Sequence, residues 1–256
     1  MAFRSVESIK AARFNSSNSS EFLELYENAL DETILAGESS MPSRTFAPSQ
    51  SRCKRVSWFR LRGVLPEQEE IVDRSLNFTA QIGTACHHTI QDILSKKLGA
   101  DWIDVEAFLK SQDRPYSYTC QKNGFETLIE IANPPVKFAP DGIIFWKGEY
   151  WLLEIKTSEY ASFDKLAGPK PQHIDQIKCY ATLLGIHKVL VLYQDRMYGN
   201  LKCYEVKITD ADMQQTWDMF KEVQDYVVKN IAPPKPDNTK YCNPSYCRYY
   251  NKCKEW

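Results

Sequence analysis

The stretch that decides the fold is PDGIIFWKGEYWLLEIK, residues 140–156. Two apolar runs flank Lys147-Gly148, and this pattern is typical of a β-hairpin closed by a two-residue turn. We therefore expect strands over residues 137–146 and 149–157. Their apolar residues hardly alternate with polar ones, which indicates strands that are buried on both faces.

Charged residues occupy defined places in this hairpin. A two-residue turn sets Trp146 opposite Glu149 and Asp141 opposite Glu154, whereas a three-residue turn would shift the register. Opposed residues share a sheet face, with Cβ atoms roughly 5 Å apart. Two carboxylates at that distance repel unless a cation lies between them, and oxygen ligands favour Mg²⁺ or Mn²⁺. Lys156 lies on the same face as Glu154. The alternative is an exposed face with ordinary charges, and the apolar flanks argue against it.

The rest of the chain places helices before and after a set of strands. Apolar spacing and end signals predict helices near residues 49–63, 77–97, 172–185 and 210–229. Strands are predicted at residues 125–132, 188–194 and 201–208. We expect a helical lead-in and loop over residues 1–48. Residues 49–256 should form one α/β domain in which a central mixed sheet is flanked by helices. The cysteine-rich tail should pack together with the N-terminal helices.

Composition limits the class of protein. The 256 residues are 25% charged with a net charge of −1, which excludes a uniformly basic nucleic-acid coat but not a local basic patch. No apolar run approaches the roughly 18 residues of a membrane span, and the first residues lack the apolar core of a signal peptide. We expect a cytoplasmic protein (host cytoplasm if viral) without membrane contact. Its eight cysteines should then be thiols or metal ligands rather than disulfides.

Three motifs occur in an order that resembles a known family. Asp141 after Pro140, followed by Glu154-Ile155-Lys156, is the pattern of the PD-(D/E)xK nucleases. Gly83-Thr-Ala-Cys-His87 upstream and Gln176-Ile-Lys-Cys-Tyr180 downstream match two marks of the RecB-like branch. One cysteine before the core and three near the end resemble the Fe–S members, which include the CRISPR-associated exonucleases of the fourth Cas family and related phage proteins.

The resemblance covers about residues 50–256 and implies a restriction-endonuclease-like core. It implies a hydrolase, namely a deoxyribonuclease that depends on a divalent metal. The first expectation is an exonuclease that acts on single-stranded DNA in recombination, repair or phage DNA processing. Two alternatives stay open: a structure-selective or duplex endonuclease, and a non-catalytic subunit that binds DNA ends for recombination. The implied partner is DNA that is single-stranded or has a free end. A second copy of the chain or a recombination protein is a further candidate.

The resemblance also assigns residues to the site. Mg²⁺ or Mn²⁺ would be bound by His87, Asp141, Glu154 and the backbone carbonyl of Ile155. The catalytic set would be Asp141, Glu154, Lys156, Gln176 and Tyr180. Lys156 would orient the attacking water or neutralise charge on the phosphate. On residue chemistry alone, a capped or core histidine is the favoured interpretation of His87, and Tyr180 is also compatible with a helix edge packed on the sheet. Glu126 and Glu130 would at most orient the ligands.

A basic segment lies at residues 52–62, where five cations occur without an acidic residue. Cations contact phosphates and aromatic rings stack on unpaired bases. The expected DNA-binding residues are Arg52, Arg55, Trp58, Arg60 and Arg248. The alternative is an ordinary solvated helix face.

Four cysteines form a candidate metal site. By resemblance, Cys53, Cys242, Cys247 and Cys253 would bind a [4Fe–4S] cluster, while zinc suits four thiolates equally well. Free cysteines in a frayed tail are the third possibility. The tail spacing is C-x4-C-x5-C. Its first gap is two residues longer than in most proteins that it resembles, and this departure concerns Cys242 most.

Overall fold

The computed structural model describes residues 16–37, 43–67, 74–236, 242–244 and 246–256. The chain divides into two compact units, residues 1–39 with 69–78 and residues 40–68 with 79–256. Within the predicted lead-in, residues 1–15 and 38–42 lie outside the described residues.

The first unit contains helix α1 (Ser16–Gly37) and the first turn of helix α3 (Arg74–Leu98). Arg74 donates two hydrogen bonds to the Asp31 carboxylate, at 2.7 and 2.9 Å, and lies 3.0 Å from a Glu27 oxygen. The bond from Arg74 lowers the pKa of Asp31. These ion pairs tie the two helical segments of this unit together.

The second unit contains most of the helices. After the turn at Pro48–Gln50 come α2 (Lys54–Leu61), α3, α4 (Val105–Lys110), α5 (Tyr160–Asp164), α6 (Pro171–Leu184), α7 (Asp210–Val228) and α8 (Tyr250–Lys254). Helix α6 has Pro171 in its first turn and ends at Gly185, whose φ is 60°. A Thr209–Asp212 capping box starts α7. Among the described residues, no helix is long and apolar enough to cross a membrane.

Two sheets complete this unit. The strands are β1 (Trp102–Ile103), β2 (Tyr118–Asn123), β3 (Glu126–Ala132), β4 (Pro135–Phe138), β5 (Gly142–Trp146), β6 (Glu149–Ser158), β7 (Lys188–Asp195) and β8 (Leu201–Lys207). The central sheet has the order β1-β5-β6-β7-β8, and β2-β3-β4 form a second sheet. In the central sheet β6 and β7 are parallel and the other neighbours are antiparallel. The predicted α/β class, with a mixed central sheet flanked by helices, is confirmed.

The β5–β6 hairpin has the predicted register, but the predicted strand over residues 137–146 is divided, because residues 137 and 138 belong to β4 of the second sheet and β5 begins at Gly142. Trp146 pairs with Glu149 and Gly142 with Leu153. Lys147 and Gly148 have φ values of 53° and 82°, and two positive values are what a type I′ turn requires. Residues 151–155 are all buried. The hairpin is therefore covered on both faces, as its apolar sequence predicts.

The two faces of β6 pack against different layers. Leu153 and Ile155 form a cluster with Ile90 of α3. Leu152, on the opposite face, belongs to the large core that includes Ile177 of α6. Because side chains alternate along a strand, Glu154 and Lys156 lie on the same face as Leu152. The hairpin thus carries its charged residues on the face that packs into the large core.

Some predicted elements were wrong or missing. The predicted helix at 49–63 is a short 3₁₀ turn followed by α2, and the chain between them is extended at Cys53, with φ −119° and ψ 109°. Strands β1 and β2 and helix α4, at residues 102–123, have no predicted counterpart. Strand β1 has two residues and pairs with the distant β5, for which local sequence carries little signal. Strand β2 pairs with the adjacent β3, but no run of apolar residues marks it, and α4 has only six residues.

Gly142 provides a test of the packing beside Asp141. A Cβ at this position would lie 2.7 Å from Cη2 of Trp102, whose ring packs against the Leu153–Ile155 cluster. We expect Gly142→Ala to lower the free energy of unfolding by about 1–3 kcal/mol, measured by urea denaturation, because the core becomes overpacked.

The matched control is Gly168→Ala, since an added methyl group there meets nothing within 4 Å. This variant should stay within about 0.5 kcal/mol of the parent protein. Equal losses in the two variants would contradict the packing argument.

Candidate functional site

Asp141 makes hydrogen bonds to both strand β6 and helix α3. Its side chain is largely buried, with the residue 8% exposed. Oδ2 accepts a hydrogen bond from the Ile155 backbone N–H at 2.6 Å, and Oδ1 lies 3.2 Å from Nδ1 of His87. The backbone carbonyl of Asp141 accepts a bond from Nε2 of Gln91 at 2.8 Å. Strand β6 and helix α3 therefore both fix the position of this carboxylate.

Glu154 is the most deeply buried acid of the site, at 1% exposure. Oε1 lies 2.5 Å from Nζ of Lys156, whereas Oε2 has no hydrogen-bond partner among the described residues. Burial, and then the negative charge of Asp141, raise the pKa of Glu154 to about 7, although the Lys156 charge opposes them. Buried polar atoms are nearly always paired, so an unpaired carboxylate oxygen here fits a site for a cation.

His87 enters the site from α3. Burial works against its protonation, but the hydrogen bond and charge of Asp141 raise the pKa of His87 overall. His88 is exposed. Gly83 lies one turn earlier, where an added Cβ would touch Oγ1 of Thr157 at 3.4 Å. The helix backbone thus runs close to the sheet, as the Gly-x-x-x-His spacing predicts, although a methyl group would be an ordinary contact rather than a clash.

Glu126 is a member of the site that sequence analysis undervalued. Ligand atoms of His87, Glu126 and Asp141 all lie within 4.8 Å of one another. Glu130, four residues later, instead forms an ion pair with Lys137. The β3–β4 ladder ends at the pair Ile129–Phe138, so the start of β3 with Glu126 and the segment with Asp141 lie at the same end of that ladder.

One face of α6 covers the acidic pair. Nε2 of Gln176 donates to the Tyr180 hydroxyl at 3.0 Å. Burial, together with the charge of Glu154, raises the pKa of Tyr180. His173 lies 2.6 Å from the Tyr193 hydroxyl, and Tyr193 pairs with Lys156 across the parallel strands. Burial and the Lys156 charge lower the pKa of His173 to about 4, so this imidazole is neutral at physiological pH.

The four predicted cluster cysteines line one cavity of about 110 Å³. Cys53 precedes the first turn of α2, and burial raises the pKa of its thiol, although the nearby backbone N–H groups of Val56 and Arg55 oppose this. Nη1 of Arg55 lies 3.3 Å from the Cys253 sulfur. Among the described residues, no three cysteine sulfurs lie within 4.8 Å of one another. The cavity therefore brings the four cysteines together without arranging three of their sulfurs as close neighbours.

The tail that carries three of these cysteines is held by protein contacts. Tyr249 stacks on Phe59, with ring centroids 5.2 Å apart and planes 2° apart. Oε1 of Glu67 accepts a hydrogen bond from the Lys252 backbone N–H at 2.9 Å. The predicted packing of the tail on an N-terminal helix is thus present in the structure.

Two residues of the expected DNA surface are buried. Arg55 is 6% exposed and donates to the backbone carbonyls of Pro233, at 2.7 Å, and Trp256, at 3.0 Å. Trp58 is fully buried, with its ring edge-on to Trp256 at 5.2 Å. The prediction that these two side chains contact DNA is wrong, because the folded tail covers them.

The other three expected residues, Arg52, Arg60 and Arg248, line a groove of about 530 Å³. Arg248 is exposed, while Nε of Arg60 donates to the Thr45 carbonyl at 3.2 Å. The groove also contains exposed Tyr246, and no acidic side chain lines its described part. Gln172 of α6 lies at its border, next to His173. The groove thus reaches the first turn of the helix that covers the acidic pair.

Comparisons with known proteins give structural likeness only. No family model matches the sequence, and no curated protein matches it. Among solved structures, SSO0001 aligns with a TM-score of 0.46 and 16% identity, over 92% of this chain and 97% of that chain. The alkaline exonuclease LHK-Exo from Laribacter hongkongensis aligns with a TM-score of 0.39 and 15% identity, over 74% and 90%. The structure of LHK-Exo in complex with dAMP aligns with a TM-score of 0.41 and 18% identity, over 74% of this chain and 87% of that chain.

Proposed function

We propose that this protein is a metal-dependent deoxyribonuclease of the PD-(D/E)xK class. The observation that carries the proposal is the buried pair Asp141 and Glu154, with Lys156 bonded to one Glu154 oxygen and the other oxygen unpartnered. Burying charged carboxylates is unfavourable unless cations balance them. One ammonium does not balance two carboxylates, so the pair fits a divalent cation.

The residues that would hold this ion are His87, Asp141, Glu154 and the carbonyl of Ile155. Oxygen and imidazole ligands in this combination suit Mg²⁺ or Mn²⁺. The chemistry that such an ion supplies when bound is polarisation of the phosphodiester and a lowered pKa of its bound water. The protein fixes the ligands beforehand through the Asp141–Ile155 and Asp141–His87 contacts.

Lys156 would neutralise the charge that develops on the phosphate during hydrolysis, or orient the attacking water. Its position on the rigid strand β6 holds the ammonium beside Glu154. Gln176 and Tyr180 cover this region from α6, and their mutual hydrogen bond fixes both side chains. Neutral His173 adds no competing charge beside Lys156.

For the substrate we propose single-stranded DNA with a free end. The groove supports this choice because it combines Arg52, Arg60 and Arg248 with the exposed ring of Tyr246. Arginines bind phosphates regardless of sequence, and an aromatic face stacks on an unpaired base. A duplex or structure-selective endonuclease and a non-catalytic end-binding subunit are the alternatives that the experiments below separate.

The first experiment uses end-labelled linear single-stranded DNA and closed circular single-stranded DNA with Mg²⁺ or Mn²⁺. Label should be released from linear DNA only, for a 5′ or a 3′ label. Asp141→Ala and Lys156→Ala should each lower turnover by at least about 100-fold, because each removes a group that stabilises the transition state.

The matched control is Glu130→Ala, whose carboxylate pairs with Lys137 outside the ligand group. This variant should keep the parent rate. Nicking of circles would support the endonuclease instead. Absence of cleavage of both substrates by the parent protein would refute a nuclease that acts on single strands and would favour a duplex endonuclease or the non-catalytic subunit.

Arg248 tests the groove independently of cleavage. Arg248→Ala should weaken binding of single-stranded DNA and reduce the slope of log affinity against log salt by about 0.7, the value for one released phosphate contact. Fluorescence anisotropy at several salt concentrations measures both quantities. Lys207→Ala, an exposed cation on β8 that does not line the groove, is the control. Equal slopes for the two variants would place DNA elsewhere.

For the cysteine cavity we propose a structural [4Fe–4S] cluster on Cys53, Cys242, Cys247 and Cys253. Zinc with four bonds of about 2.3 Å in a tetrahedron would need sulfurs about 3.8 Å apart. No three of the described cysteine sulfurs lie within 4.8 Å of one another, so they do not form a zinc tetrahedron, and a cluster in which each thiolate binds its own iron needs a wider spacing. Closing a loop of about 190 residues would also reduce the entropy of the unfolded chain.

Anaerobically purified protein should accordingly be brown, with broad visible absorption and about four irons per chain. Cys253→Ser should lose iron and colour. Cys203→Ser should retain both, because this exposed cysteine lies on β8 and does not line the cavity. A colourless protein with one zinc, or with no metal, would rule out the cluster and leave the nuclease proposal intact.

A further inference from the structure

We infer that Glu126 is an additional carboxylate ligand of the divalent-metal site. The inference rests on the proposed nuclease function and adds a residue that the PD-(D/E)xK pattern of this sequence does not include. Glu126 comes from β3 of the three-stranded sheet, whereas Glu154 comes from the central sheet. The site would then be assembled from both sheets and helix α3.

The distances fit one ion. Bonds of 2.0–2.1 Å in an octahedral Mg²⁺ site place neighbouring ligand atoms about 3 Å apart and opposite ones about 4 Å apart. Ligand atoms of His87, Glu126 and Asp141 lie within 4.8 Å of one another before any ion draws them together. A small rotation of the side chains therefore suffices.

The backbone explains why Glu126 reaches this position. It is the first residue of β3, directly after the turn at Gly124, where φ is 61°. The β3–β4 ladder ends at the pair Ile129–Phe138, and the β5–β6 ladder begins at the pair Gly142–Leu153. Asp141 thus lies in the short segment between the two ladders, near the start of β3 that carries Glu126.

Charge provides an independent argument. Asp141 and Glu126 lie in one group with His87, and the Lys156 ammonium is bonded to the third acid, Glu154. With all three acids ionised and His87 neutral, as metal ligation requires, two negative charges remain, which a divalent cation would balance. The unpartnered Oε2 of Glu154, in a residue that is 1% exposed, is a separate sign that the site requires a cation.

The experiment measures Mn²⁺ binding by calorimetry and by the loss of the free-ion paramagnetic signal, without DNA and without turnover. Glu126→Gln keeps the size of the side chain and removes its charge. We expect it to weaken Mn²⁺ binding at least about 10-fold, in the range that even supporting residues of metal sites show.

Glu130→Gln is the matched control, since it lies on the same strand face four residues away and pairs with Lys137. It should bind Mn²⁺ like the parent protein. Thermal unfolding of both variants in EDTA shows whether the fold is intact. A variant that has lost only a metal-binding side chain should keep the unfolding midpoint of the parent protein.

The outcomes are distinct. Equal Mn²⁺ affinity of Glu126→Gln and Glu130→Gln would overturn the role of Glu126 and leave the nuclease proposal standing. A parent protein that binds no Mn²⁺ would overturn both. Glu126→Asp provides a further check, since a shortened ligand should retain more affinity than the neutral amide.

Discussion

The burial of the Asp141 carboxylate is the constraint on which the arrangement of the site depends. A buried carboxylate is unfavourable by several kcal/mol unless donors or cations surround it. Strand β6 provides the Ile155 N–H at 2.6 Å and helix α3 provides His87 at 3.2 Å. The carboxylate therefore joins sheet and helix, and Glu154 and Lys156 are placed beside it by the same hairpin.

The cysteine cavity and the acidic site belong to one unit and are connected through its surface. Arg55, Trp58 and Phe59 of α2 hold the C-terminal tail, and this tail in turn supplies Arg248 and Tyr246 to the groove. The groove extends to Gln172, at the start of the helix that covers the acidic pair. Folding of the tail thus shapes the surface that would guide a strand toward the site.

Local sequence specifies much of this arrangement. Lys147-Gly148 sets a type I′ turn and hence the register in which Gly142 and Leu153, the neighbours of Asp141 and Glu154, form a pair. The four-residue spacing of Gln176 and Tyr180 places both on one helix face, where they bond to each other. These features follow from contacts between residues that are close in sequence, and the sequence predicts them correctly.

The sequence by itself therefore determined the hairpin, its register, the helix faces and the α/β class, because short-range geometry fixes them. Only the tertiary structure decided that Glu126 reaches Asp141, since this depends on where β3 pairs and where the β3–β4 ladder ends. It also decided that Arg55 and Trp58 are buried. In the sequence, Arg55 and Trp58 could equally belong to a DNA-binding face. They are removed from solvent only because a tail about 190 residues away along the chain packs over them.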